Sequence, residues 1–171
     1  PRVASIHGYV YPIKEALPET FFLRGADCWG WATWKRAWDI FEPDGKKLLA
    51  ELEAKKLIDV FDFGNTRGFS AMLKRQIAGE NDSWAIRWHA SAFLADKLTL
   101  YPGRTLVDNI GQADGTHKGS VLFRHAFNDH QPIKVGGIPV EENRETWSAF
   151  ARFFKSLNLK DKMLKRLRKL I

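Results

Sequence analysis

Apolar and polar positions divide the chain into short segments of two periods. Residues 3–11, VASIHGYVY, have the β-branched and aromatic composition of a strand, and Pro12 closes the run. Residues 20–24 predict a second short strand. After the turn Gly25-Ala26-Asp27, a helix is expected over 29–41, with Trp34 and Trp38 four apart on one face. Pro43-Asp44-Gly45 breaks it. An amphipathic helix follows over 46–57, its period set by Leu48, Leu49, Leu52 and Leu57. Residues 61–65 read as a loop, and Thr66 as the cap of a helix reaching Ile77, with Gly79 past its end. Residues 105–110 predict a strand and the polar, glycine-rich 111–119 a mobile loop. Residues 120–142 carry Pro132 and Pro139 and read as irregular. Two helices are expected after that, over 142–154 and 159–171. These elements make an α+β fold, helix-rich with a few short strands.

The stretch 80–103, ENDSWAIRWHASAFLADKLTLYPG, organises the rest. Asn81, Asp82 and Ser83 are all suited to cap a helix, because short polar side chains accept the amide hydrogens left free in a first turn. The helix behind them, about 12 residues long, has Trp84, Trp88 and Ala92 along one stripe and Ile86, Ala90 and Phe93 along another. A helix apolar on most of its circumference is buried. Arg87 and His89 lie within that run, and a buried cation needs a partner. Residues 98–101 then form a strand that ends at Pro102-Gly103. Asp82 therefore stands at the mouth of a buried helix beside two tryptophans and an arginine. That is the arrangement of a site, and equally of a well-capped core helix.

Composition narrows the classes. At 171 residues, 44% hydrophobic and 27% charged, the chain is a globular domain rather than a disordered one. Seven Trp against three Tyr is a heavy tryptophan load, suited to gripping a flat, partly apolar group such as a sugar ring. The single Cys28 excludes an internal disulfide and a cysteine-based zinc cage, and points to a reducing compartment, the cytoplasm. No apolar run approaches the length of a membrane span. The first residues, Pro1-Arg2-Val3, lack an initiator Met, and the chain is expected to be a piece of something longer. Net charge is +7, which favours anionic partners, yet residues 155–171 hold seven of the Lys and Arg with only Asp161 against them. The other 154 residues are nearly balanced, 20 basic against 19 acidic. The basic cluster is free of Trp, which argues against a nucleic-acid surface of interleaved cations and aromatics.

Together GADCWGWATWKRAW, DSWAIRW, LTLYPG, NIG and DGTH resemble the second half of a GT-A glycosyltransferase. The likeness is to bacterial enzymes of the family-2 type and to the N-acetylglucosaminyltransferase I group, and it covers residues 3–117. The resemblance implies transfer of a sugar from a nucleotide-sugar donor to a carbohydrate or lipid-linked acceptor, with Mg or Mn on the donor diphosphate. No Asp-x-Asp motif occurs in the chain. The metal ligands are then expected mainly in a preceding nucleotide-binding half, and residues 1–154 form the acceptor-binding, base-bearing portion.

On that resemblance Asp82 is the general base, because a sugar hydroxyl is a poor nucleophile until its proton has an acceptor. The alternative is a plain N-cap. Asp27 is the weaker carboxylate candidate. Trp29 and Trp31, and Trp84 beside Asp82, are candidate sugar platforms, against a role in core packing. Trp34 and Trp38 read as core. Arg87 and Arg104 could face diphosphate through their forked donors, or sit in structural ion pairs. His117 is the candidate metal ligand, or an exposed loop histidine, with Asp114 and Gly115 as the hinge of a loop closing over the donor. The tail, 155–171, sets Leu159, Met163, Leu167 and Leu170 on one helical face with cations around them. It reads as a peripheral membrane contact, through 157–171, or as a terminal helix laying its leucines on the body. A non-catalytic carbohydrate- or partner-binding module is the rival to the enzyme.

Overall fold

The structure is a computed structural model that describes residues 1–108 and 132–167, with the backbone alone at 160–162 and 164–167. Four strands, β1 (Val3–His7), β2 (Thr20–Arg24), β3 (Trp31–Thr33) and β4 (Leu98–Pro102), form one mixed sheet in the order β2-β4-β1-β3. β4 runs parallel to β1 and antiparallel to β2, and β3 is antiparallel to β1. All five residues of β4 are buried, as expected of an inner strand with apolar side chains on both faces. Alternation sorts the sheet. Phe22, Leu98 and Leu100 face one side, where Val3 and Ile138 cover them. Phe21, Leu23 and Tyr101 face the other, under the last helix. The outer edge of β2 is closed by the later chain, with Asn143 N–H donating to Phe22 O (2.9 Å) and Arg24 N–H to Glu142 Oε1 (2.9 Å).

Six helices occur among the described residues: α1 (Lys35–Trp38), α2 (Gly45–Ala54), α3 (Ile58–Phe61), α4 (Phe69–Ile77), α5 (Trp84–Leu94) and α6 (Arg144–Leu167). α5 is the pillar anticipated from its pattern. Its Ile86, Ala90 and Phe93 pack with Leu48 and Leu52 of α2 and Leu73 of α4. Its Trp88 and Ala92 pack instead with Ala4 and Ala26 below the sheet. Close approach of α5 requires Gly25: its φ is +98°, and a Cβ there would lie 2.5 Å from His89 Cε1.

Several boundaries differ from the sequence reading. Residues 29–41 are not one helix. Gly30 takes a positive φ (58°), Trp31–Thr33 pairs with Ser5 to His7 as an edge strand, and only 35–38 are helical. The ladder partner overrode local propensity. The helix expected over 46–57 ends at Ala54, because Lys56 turns left-handed (φ 54°), and α3 follows. Thr66 does not cap α4. Buried Asp62 does so from the preceding loop, accepting Ser70 N–H (2.7 Å) and the Ser70 hydroxyl, where a carboxylate also complements the helix dipole. Residues 105–108 join no ladder and are held by single bonds such as Leu106 N–H to Gly8 O (2.7 Å). The two helices expected near the end are one, α6. Asn158, a residue that could have broken it, instead spends its side-chain amide on Thr66 O (2.7 Å).

Candidate functional site

The helix cap at 81–83 is divided among three side chains. Ser83 is the N-cap, its Oγ accepting Ile86 N–H (3.3 Å), and Asn81 Oδ1 accepts Ser83 N–H (3.1 Å). Asp82 is therefore spared capping. Its side chain is fully exposed, and it pairs with Arg87 farther along the helix, Nη2 to Oδ1 at 3.7 Å. Arg87 in turn is held by the carbonyls of Ser83 (3.4 Å) and Pro43 (3.2 Å) and lies over the Phe41 ring. The cation that the sequence left needing a partner has three oxygen partners.

Beside this pair opens a groove of about 490 Å³, lined by Trp31, Thr33, Trp38, Phe41, Trp84 and Arg87. The indoles come from β3, the end of α1 and the first turn of α5. Trp31 and Trp84 have ring centres 5.6 Å apart, Trp38 and Trp84 6.0 Å, and Trp38 stacks on Phe41 at 4.9 Å with ring planes 4° apart. Trp88, wholly buried, backs Trp38 (5.2 Å) and Trp31 (6.1 Å) and fixes their positions from beneath. Trp84 keeps 42% of its surface exposed and Trp38 38%, large for residues of this size.

The structure thus brings Trp31, Trp84 and Arg87 of the predicted set together in the groove lining, and Asp82 reaches that lining through its pair with Arg87. Trp29 lies apart, against Tyr9 (5.0 Å) and Tyr11 (6.3 Å) in the aromatic core below α6. Trp38, read from sequence as core, is a groove wall, and Phe41 and Thr33 were not anticipated at all. Trp34 is also exposed, outside the groove, with the Arg36 guanidinium 4.5 Å over its ring. The three-residue spacing of Trp38 and Phe41 was visible in the sequence, but spacing says which residues stack and not whether anything covers them. Arg104 is half-buried and does not line the groove. Asp114, Gly115 and His117 lie outside the described residues. Among the described residues no group of three or more His, Cys, Asp or Glu could hold a metal ion, so no ligand for Mg or Mn is assigned to them.

A second polar cluster lies behind β1. Trp29 N–H donates to His7 Nε2 (2.9 Å), and Ala26 N–H to His89 Nδ1 (3.2 Å). Burial lowers the pKa of both imidazoles, with Asp27 acting weakly in the opposite sense. Burial also pushes the Cys28 thiol up to about 12, which leaves it protonated and unreactive at neutral pH. The two histidines are neutral in the fold and take up protons on unfolding. Stability is therefore complete above the unfolded value near 6.5 and falls as pH drops below it, with a slope of up to about 1.4 kcal/mol per pH unit for each ring. Thermal melts between about pH 7 and pH 5 are expected to show that decline. His89→Gln should make the slope shallower, and a profile equally steep without His89 would exclude its part in it.

No family model, curated protein or solved structure matches this chain.

Proposed function

We propose that the chain is the acceptor-side portion of an inverting, GT-A-like glycosyltransferase. The observation that carries this reading is a groove walled by three indoles whose lining Arg87 is paired with an exposed carboxylate, Asp82, that caps no helix. A pyranose has one face of C–H groups and an edge of hydroxyls. Its apolar face suits Trp31, Trp38 and Trp84, and its edge is then turned toward polar groups at the rim. Asp82 takes the proton of the acceptor hydroxyl as that oxygen bonds to the anomeric carbon and the bond from that carbon to the diphosphate breaks. Arg87 acts on Asp82 as a positioning residue. Mg or Mn belongs to the proposal as the group that neutralises the departing diphosphate.

The indole walls would serve a non-catalytic carbohydrate-binding module equally well, and the groove alone favours that second reading. Binding is tested first. Titration of acceptor-type oligosaccharides, followed by tryptophan fluorescence, is expected to show about a tenfold weaker affinity in Trp38→Ala or Trp84→Ala. Trp34→Ala serves as the control, since Trp34 lies outside the groove. Unchanged affinity in both groove variants would remove the groove as the sugar site.

A further inference from the structure

The two halves of α6 behave differently. Its first half is a core element: Ala149, Phe150 and Phe154 are buried, and Phe153 and Leu157 pack against the same cluster. Asn158 ties the helix to Thr66. Beyond it the helix continues for nine residues, about 14 Å, to Leu167. There the described apolar side chains lose their cover. Leu159 is 55% exposed and Met163 65%, one turn apart on the same face. A terminal helix laying this face on the body would have hidden them. Seven Lys or Arg with one Asp fall within 155–171.

We propose that this stripe docks on an anionic lipid surface. An interfacial helix needs aliphatic side chains to enter the acyl boundary and cations flanking them to meet the headgroups, and both are present here. The cationic excess of the whole chain is concentrated in the segment that carries this exposed pair. A nucleic-acid surface would offer aromatic rings for stacking, whereas Leu and Met offer none. No helix of the described residues is long and apolar enough to cross a membrane, and the contact proposed here lies along the surface. It stands independently of the transferase reading.

The test is co-sedimentation of the full chain with vesicles of mixed phosphatidylglycerol and phosphatidylcholine, and with vesicles of phosphatidylcholine alone. Binding is expected to the anionic vesicles, to weaken as salt is raised, and to be weak or absent on the zwitterionic ones. Leu159→Ser with Met163→Ser should lower the partition coefficient at least tenfold. Both side chains are exposed, so the fold is retained, and an unchanged thermal melt verifies this. No binding to anionic vesicles, or equal binding by the double variant, would overturn the proposal. So would direct binding of duplex RNA or polyglutamate that is stronger than binding to the anionic vesicles and is lost in the same double variant, since the stripe would then belong to a nucleic acid or an acidic protein.

Discussion

Asp82→Asn is expected to lower the rate of sugar transfer by the full-length protein by roughly 10²- to 10⁴-fold, the usual worth of a positioned general base. The amide keeps the shape and the polarity of the side chain but cannot accept the acceptor's proton. Loss should appear in kcat, with KM for the acceptor little changed, because the indole walls proposed to bind the ring are untouched. The fold should be unaffected. Asp82 caps nothing, is fully exposed, and its 3.7 Å pair with Arg87 is a surface contact of little weight. The measurement is release of nucleoside diphosphate from a nucleotide-sugar in the presence of acceptor. Undiminished turnover in the variant would rule Asp82 out as the base. Intact sugar binding without any turnover in the wild-type protein would favour the binding module.

Trp88→Ala is expected to have the largest effect on stability, about 3–5 kcal/mol, the range for deleting a buried large aromatic. Trp88 has no exposed surface, and on its buried side it packs on Ala4, Ala26 and Ala92, whose side chains are too small to fill the space it would leave. The melting temperature should fall by roughly 10 °C, given a chain of this length. Because Trp88 also supports Trp31 and Trp38 from beneath, the groove should be lost with it, and oligosaccharide affinity should fall further than in Trp38→Ala. Trp88→Phe, which keeps most of the volume, should cost much less. A melt unchanged by the alanine variant would mean that the indole is not a structural support of the groove.

Near-neighbour information was legible in the chain. The two apolar stripes of α5 follow from a period of 3.6, and both are buried except at Trp84 in the first turn. The strand at 20–24, the strand at 98–101 (which runs one residue further, to Pro102) and the left-handed Gly79 after α4 (φ 77°) follow from composition and spacing of the same local kind. So does the amphipathic character of the last helix. The errors share a cause. Trp31 became a strand residue because β1 was there to pair with it, Asp62 capped α4 from eight residues before Ser70, and Asn158 found Thr66. Each depended on a partner that no local window contains.

The candidate site divides along the same line. Residue types and periodicity by themselves determined that a carboxylate, an arginine and indoles would gather at the start of a buried helix. Only the tertiary structure decided which of those groups were left uncovered. Trp84 and Trp88 stand on one stripe a single turn apart, yet Trp84 is 42% exposed and Trp88 is sealed. Periodicity sets the direction in which a side chain points, but its exposure depends on whether another element arrives to cover it. Trp31 of β3 and Trp38 of α1 contact both indoles, but Trp88 is also closed in by Ala4, Ala26 and Ala37, whereas Trp84 keeps a free face on the groove.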